Sequence, residues 1–235
     1  MKTEREYFQP LASAFVRGKL QQSYERKTCP ALFEKALEEL SEEEQLALVA
    51  LGHTYELPLH RFKKKMPTAL PRVYQVLGIL KGIQPENVLD IGSGRGAFLW
   101  PLVHTFPALS VTCVDVLDFR IADIMAAHEG GMKQVLAQQA SVLALPFADR
   151  MFDVVTMLEV LEHIPETAQA LAEVCRVARC FLLLSVPSKE DDNPEHIHVF
   201  KQATLRQLLQ DQGVTRVSFS YVRDHMIVLA RMEDL

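Results

Sequence analysis

Cysteine is scarce in this 235-residue chain, and Cys29, Cys113, Cys175 and Cys180 form no Cys-x-x-Cys pair. That excludes a disulfide scaffold or a thiolate zinc cluster as the organising principle. Cys113 and Cys180 lie in apolar, strand-like runs, where a buried free thiol is the ordinary expectation. No apolar run reaches the roughly 20 residues needed to cross a bilayer. The charged opening Met1-Lys-Thr-Glu-Arg-Glu6 also lacks the pattern of a signal peptide. Excess positive charge is missing too. With 25 Lys and Arg against 30 Asp and Glu, the net charge is −5, so nothing draws the whole protein to nucleic acid or an acidic membrane. Internal repeats and low-complexity stretches are absent. The expectation is a reduced, cytoplasmic protein without a membrane partner, its oligomeric state left open.

What is present is a 49% hydrophobic composition, ample for one large core or for a domain with a helical extension. One stretch organises the rest: Asn87-Val-Leu-Asp-Ile-Gly-Ser-Gly-Arg-Gly-Ala-Phe-Leu-Trp100. Val88 to Ile91 reads as a strand buried on both faces of a parallel sheet. Gly92, Gly94 and Gly96 then let the backbone turn sharply and let a ligand approach it. The helix that follows offers unpaired N–H groups and a positive dipole end. Asp90, where strand gives way to loop, supplies a carboxylate suited to a partly cationic ligand.

Residues 1 to 68 show helical periods and no strand alternation, broken by Pro10, Pro30, Pro58 and Pro67. Leu32, Phe33, Ala36, Leu37 and Leu40 recur as one helix face does, and Ser41-Glu-Glu-Glu44 is a capping box opening a helix through Leu51. His60-Arg-Phe-Lys-Lys-Lys65 is the one concentrated basic run, either a solvated face or a contact for an anionic partner such as nucleic acid. From Leu70 helix and strand alternate. Val73, Val76, Leu77 and Leu80 mark a helix before the first strand. Later strands are read at 110–115, 134–137, 152–158 and 180–186, with helices at 98–106, 121–128, 168–178 and 203–212. Arg216–Val222 and Met226–Ala230 are close enough to pair antiparallel. The fold class is therefore α/β: a doubly wound, mostly parallel seven-stranded sheet with a reversed edge strand. A helical extension or cap (residues 1–68) precedes the ligand-binding domain (residues 69–235). Right-handed crossovers put the glycine loop and the ends of strands two to five on one carboxyl edge.

Gly92-x-Gly94-x-x-Ala97 with Asp115 fits a dinucleotide fingerprint loosely. Asp90-x-Gly92-x-Gly94-x-Gly96 instead resembles motif I of the class I S-adenosylmethionine-dependent methyltransferases. The likeness runs over about residues 70 to 231 and is nearest to the ubiquinone- and menaquinone-biosynthesis branch. It implies S-adenosylmethionine as cofactor, held by Asp90, Gly92, Ser93, Gly94 and Gly96, with Asp115 on the ribose hydroxyls and Val116 beside it. Ser141-Val-Leu-Ala-Leu-Pro-Phe147 resembles the adenine-side motif, with Ser141 where an Asp is usual and Val142 and Leu145 as apolar contacts. Leu158 ends the fourth strand beside the methyl donor.

Glu159-Val-Leu-Glu162-His163 follows, and spacing puts Glu159 near both Glu162 and His163 if the turn is helical. The segment from Ser188 to Phe200 carries His196 and His198 and can reach the same turn. His163, Glu159, Glu162, His196 and His198 are thus the candidate catalytic residues, a histidine serving as base for a hydroxyl or amine acceptor. Glu-x-x-Glu-His with a later histidine also resembles the metal site of the small-RNA 3′-terminal 2′-O-methyltransferases, which would make Glu159, Glu162, His163 and His196 ligands. The expectation is chemistry without a metal on a small-molecule acceptor. The alternatives are metal-assisted methylation of an RNA end and a non-catalytic cofactor-binding module.

Overall fold

The computed structural model describes residues 4–63, 70–190 and 192–233. Helices α1 (Glu4–Lys19), α2 (Tyr24–Thr28), α3 (Ala31–Glu34), α4 (Glu42–Thr54) and α5 (His60–Lys63) precede α6 (Pro71–Ile83). Then come β1 (Asn87–Ile91), α7 (Leu99–Thr105), β2 (Ser110–Asp115), α8 (Asp118–Glu129), β3 (Val135–Gln139) and β4 (Phe152–Leu158). The chain closes with α9 (Thr167–Val177), β5 (Ala178–Pro187), α10 (Gln202–Gln210), β6 (Arg216–Val222) and β7 (His225–Arg231). No described helix is long and apolar enough to cross a membrane.

The seven strands form one sheet in the order β3-β2-β1-β4-β5-β7-β6, parallel from β3 through β5. Strand alternation divides the core. Val88, Val111 and Val154 face the side covered by α1, α6, α7 and α8. Leu89, Val114 and Val155 face the side covered by α9 and α10. The closing antiparallel hairpin forms the sheet edge as expected, with one correction: its reversed strand, β7, lies inside, between β5 and β6, and β6 is the edge. The reason is burial. Met226-Ile-Val228 is fully buried, whereas β6 alternates between half-buried and exposed residues and suits the edge. Other element ends shift by one to three residues. Cys113 is buried as expected, but Cys180 is only half-buried.

Two expectations about the first 68 residues also change. Pro10 does not interrupt a helix but lies inside α1. The periodic run Leu32–Leu40 is not one helix: α3 stops at Glu34, Lys35 and Ala36 are extended, and Leu37–Glu39 forms a single 3-10 turn. Arg17 explains the break. Its guanidinium is buried and donates to the carbonyls of Phe33 (2.6 Å) and Lys35 (2.8 Å), drawing both off the helical path. The Ser41 capping box does form, Ser41 Oγ accepting from Glu44 N at 3.2 Å and Glu44 Oε2 from Ser41 N at 2.8 Å.

Helix α1 packs along α8 at backbone contact. A Cβ on Gly18 would lie 1.8 Å from the Ala126 carbonyl oxygen, and one on Gly130 1.7 Å from that of Ala14. Leu11, Phe15 and Val16 of α1 are buried in the same core as the sheet, and each is worth about 1.5–3 kcal/mol on full burial. The basic run begins in α5, where Phe62 is buried with its ring 4.9 Å from Phe15 and 5.9 Å from Trp100. Lys64 and Lys65 lie outside the described residues.

Candidate active site

The carboxyl ends of β1, β2, β4 and β5 meet around the glycine loop. Gly92 N donates to Val114 O at 2.8 Å and ties the loop to β2, and Gly96 N donates to Ser93 O at 2.7 Å and tightens it. All three loop glycines have positive φ. Two also meet close neighbours: a Cβ would lie 2.5 Å from Val160 Cγ2 at Gly92 and 2.2 Å from Trp100 Nε1 at Gly96. A Cβ on Gly94 would meet the end of the Arg120 side chain at 3.1 Å and the Gly92 carbonyl oxygen at an ordinary 3.6 Å, so its backbone face is the least crowded of the three.

Asp90 is fully enclosed between β1 and β4. Its Oδ1 accepts from Thr156 Oγ1 at 2.8 Å, Thr156 being its register partner on β4. Its Oδ2 is buried with no hydrogen-bond partner. Burial raises its pKa from 3.8 to about 6, against hydrogen bonds from Ser93 and Thr156, while the charge of Asp115 pushes it further up. A buried acceptor left unsatisfied costs about 1–3 kcal/mol, more when charged. A cationic ligand group at Oδ2 would offset that cost, and the glycine loop leaves the backbone open beside it. The site therefore fits the ammonium end of S-adenosylmethionine.

Asp115, at the end of β2, accepts from Gly94 N on Oδ2 and Leu117 N on Oδ1, each at 3.0 Å. Arg120 Nη1 stands 3.6 Å from Oδ2. Each carboxylate oxygen keeps further acceptor capacity for a vicinal diol. Val116 and Phe119 expose their apolar side chains just beyond it. Ala140 N donates to Asp115 O at 3.2 Å, which brings the β3 loop alongside. There Ser141 Oγ accepts from Leu143 N at 3.2 Å, while Val142 and Leu145 are buried in the core on the α9 side.

A cavity of about 160 Å³ runs from Asp90, Gly92 and Ser93 to Leu158, Glu159 and Arg72. Leu70, Gly94, Arg95 and Ala97 also line a larger cavity of about 820 Å³ bounded by His60, Phe62 and Arg120.

The predicted catalytic residues separate into two groups. Leu161–His163 forms a 3-10 turn, and the segment after β5 folds back onto it: Ile197 N and His198 N donate to Glu162 O at 3.0 and 3.2 Å. His163 Nδ1 lies 2.9 Å from Glu195 O, and the rings of His163 and His196 are 4.8 Å apart. Glu162, His163 and His196 can bring one ligand atom each within 4.8 Å of one another. His198 lies outside that group, with its ring 5.5 Å from Phe200. Glu159 lies outside it as well, contrary to the spacing argument. It adopts φ +57, so the chain reverses before the turn begins. Its carboxylate takes the Ser185 hydroxyl at 2.6 Å, approaches His225 Nδ1 at 2.9 Å and lies 3.8 Å from Arg72 Nε. Arg72, Thr156 and His225 were not singled out from sequence. Topology offers a signal for His225, because a reversed β7 must start at the carboxyl edge. For Thr156 the signal is a hydroxyl in an otherwise apolar strand, which needs a partner when buried.

A mostly parallel sheet in this order, with a glycine loop flanked by two buried acids, is the frame in which the comparisons with known proteins fall. Residues 89–180 match the methyltransferase-domain family. The O-methyltransferase resE of Aspergillus sclerotiorum is 26% identical over 181 residues, 70% of this chain and 68% of that protein. The demethylmenaquinone methyltransferase of Roseiflexus castenholzii is 36% identical over 121 residues, 48% of each chain. A crystal structure of a SAM-dependent methyltransferase from Aquifex aeolicus superposes with a TM-score of 0.60 at 23% identity, covering 75% of this chain and 98% of that one. The chain is thus similar to S-adenosylmethionine-dependent methyltransferases, and several of its curated relatives are matched over less than half of their own length. The likeness supports methyl transfer with S-adenosylmethionine as cofactor.

Proposed function

We propose that the protein transfers the methyl group of S-adenosylmethionine to an oxygen of a small-molecule acceptor by in-line displacement. The observation that carries this reading is the buried, unsatisfied Asp90 Oδ2, on a residue that lines one cavity with Leu158, Glu159 and Arg72. The cofactor supplies an activated methyl on a sulfonium. Asp90 would fix its ammonium group, the glycine loop its main-chain approach and Asp115 its ribose. Ser93 and Val116 complete the proposed cofactor contacts, with Ser141 and Val142 on the adenine side and Leu158 beside the methyl. Displacement then requires the acceptor oxygen to be held about 3 Å from the methyl carbon, which the Leu158–Glu159 end of the cavity can do.

Small-molecule acceptors are favoured because oxygen methyltransferases recur among the relatives. Residues 1–68 are proposed as an extension that roofs the larger cavity, since His60 and Phe62 line it. The test is calorimetry with S-adenosylmethionine followed by labelled methyl transfer into a fractionated metabolite extract. Asp115→Ala should weaken cofactor binding by about 1.5–3 kcal/mol. Unchanged affinity would remove Asp115 from the ribose site.

One observation favours a second reading: Glu162, His163 and His196 offer a carboxylate and two imidazoles at metal-ligand spacing. Such a set suits Mn²⁺, Fe²⁺ or Zn²⁺ over Mg²⁺. Our reading is that turnover needs no metal. One transition metal per chain, together with loss of turnover in EDTA, would favour the RNA-end alternative and give the basic run at residues 60–65 a role.

A further inference from the structure

Four side chains from four separate elements converge on the acceptor end of the smaller cavity. Arg72 opens α6, Glu159 follows β4, Ser185 lies in β5 and His225 starts β7. Helix α6 is docked over the terminal hairpin, with Gln75 Nε2 donating to Ser220 Oγ at 2.6 Å, and this places Arg72 beside His225. Arg72 Nη1 lies 3.3 Å from His225 Nε2. A guanidinium only donates, so His225 Nε2 must carry a lone pair and the ring proton must sit on Nδ1. His225 Nδ1 lies 2.9 Å from Glu159 Oε2, off the N–H direction, so the two touch without a directed hydrogen bond while the ring is neutral. Glu159 is fixed by the Ser185 hydroxyl and by its own N–H, which donates to Ser185 O at 2.9 Å. Its left-handed backbone, φ +57, is a conformation that typically costs about 1–3 kcal/mol and gathers at functional sites. The neighbouring Asp224 is drawn away by Lys189 at 2.6 Å.

We infer that Arg72 and His225 are the acceptor-binding pair, and that the acceptor is a compound with an acidic hydroxyl, phenolic or carboxylic. The inference rests on the methyltransferase reading above. Arg72 and Glu159 line the cavity directly, with His225 behind them. An entering acceptor oxygen takes the Arg72 N–H that now covers His225 Nε2, and the freed lone pair takes the acceptor's proton. The oxyanion is held by Arg72 and imidazolium, whose positive charge is balanced by Glu159. Attack then forms the O–CH₃ bond, the S–CH₃ bond breaks, and its electron pair goes to sulfur. The proton stays on His225 until product leaves.

The test uses the full chain saturated with S-adenosylhomocysteine and 4-nitrophenol as probe, because its ionised form absorbs at longer wavelength. The wild-type complex should bind the probe as phenolate at a pH below the probe's own ionisation midpoint. Arg72→Ala should weaken binding about tenfold or more, as loss of a charge-assisted hydrogen bond does, with Arg72→Lys partly restoring it. His225→Gln should bind the probe un-ionised. Benzoate displacing the probe more readily than phenol would assign a carboxylic acceptor, and the reverse order a phenolic one. Probe that does not bind, or that ionises equally in His225→Gln, would overturn the inference while leaving the methyltransferase reading intact. Failure of S-adenosylhomocysteine itself to bind would count against that reading instead, and thermal melts separate both from misfolding.

Discussion

Two buried aspartates sit at opposite ends of the neighbouring strands β1 and β4, and they live under opposite conditions. Asp153, at the amino edge, has every oxygen engaged. Its Oδ2 accepts from Glu86 N at 2.9 Å and Asn87 N at 3.3 Å, and its Oδ1 pairs with Arg179. Asn87 Oδ1 returns the contact by accepting from Asp153 N at 2.8 Å. Burial alone would raise its pKa, but those backbone N–H groups and Arg179 bring it below the ordinary value. Asp90, at the carboxyl edge, has one oxygen satisfied and one orphaned, and its pKa rises to about 6. One carboxylate is fully used in holding strands together. The other is held ready at a cost, and that asymmetry separates a structural acid from a binding one.

The comparison breaks most sharply at Asp90. Asp90→Asn should lower S-adenosylmethionine affinity by about 3–5 kcal/mol, the range for removing one partner of a buried charge pair, as read by calorimetry. An Asn variant that binds normally would end Asp90's role as the cofactor's counter-charge. The same variant should raise ligand-free stability at pH 7 by up to about 3 kcal/mol, from about 1.4 kcal/mol per unit of relieved shift. Urea unfolding of the two proteins side by side measures that gain.

The pH dependence follows with a definite sign. Because the folded pKa of Asp90 lies above its unfolded value of 3.8, its contribution to stability is complete below about pH 4 and lost as pH rises through about 6. Ligand-free wild type should therefore lose ground against Asp90→Asn across that window, and saturating cofactor should flatten the difference. A flat difference without cofactor would mean that Asp90 is not an under-satisfied acid.

Asp153→Ala should do the reverse of Asp90→Asn: about 2–3 kcal/mol less stable, as hydrogen bonds to a charged group are lost, with cofactor affinity unchanged. Paired denaturation and binding measurements would expose any leak between the two edges. The smallest effect belongs to Thr156→Val, which strips the hydroxyl that donates to Asp90 Oδ1. It should cost about 1 kcal/mol of stability and move the pH window upward.

The glycine loop, the strand-end positions of Asp90 and Asp115 and the alternation of strand and helix were legible in sequence because each depends on neighbours a few residues away or on a repeating apolar pattern. The Glu159 error shows where this ends. Spacing of three and four places it with Glu162 and His163 only if the helix begins at Glu159, and its left-handed backbone sends the carboxylate to Ser185 and His225 instead. Those partners are 26 and 66 residues further along the chain, so no local pattern announces them. Arg17 is similar: its hold on the Phe33 and Lys35 carbonyls overrides a clean helical period. The inner place of β7 was readable in principle, since the more apolar strand of a terminal hairpin gains more from burial.

The backbone contact between α1 and α8 has a consequence for how the chain is made. Helix α1 is made well before α8: Ala126, which Gly18 must touch, comes 108 residues later. Before β2 and α8 have been made, Phe15 and Val16 can pack only on α4 and α5, and a long loop must close before their burial against α8 and the sheet is gained. The α1 surface that faces α8 therefore stays uncovered until a segment beyond the glycine loop has been made.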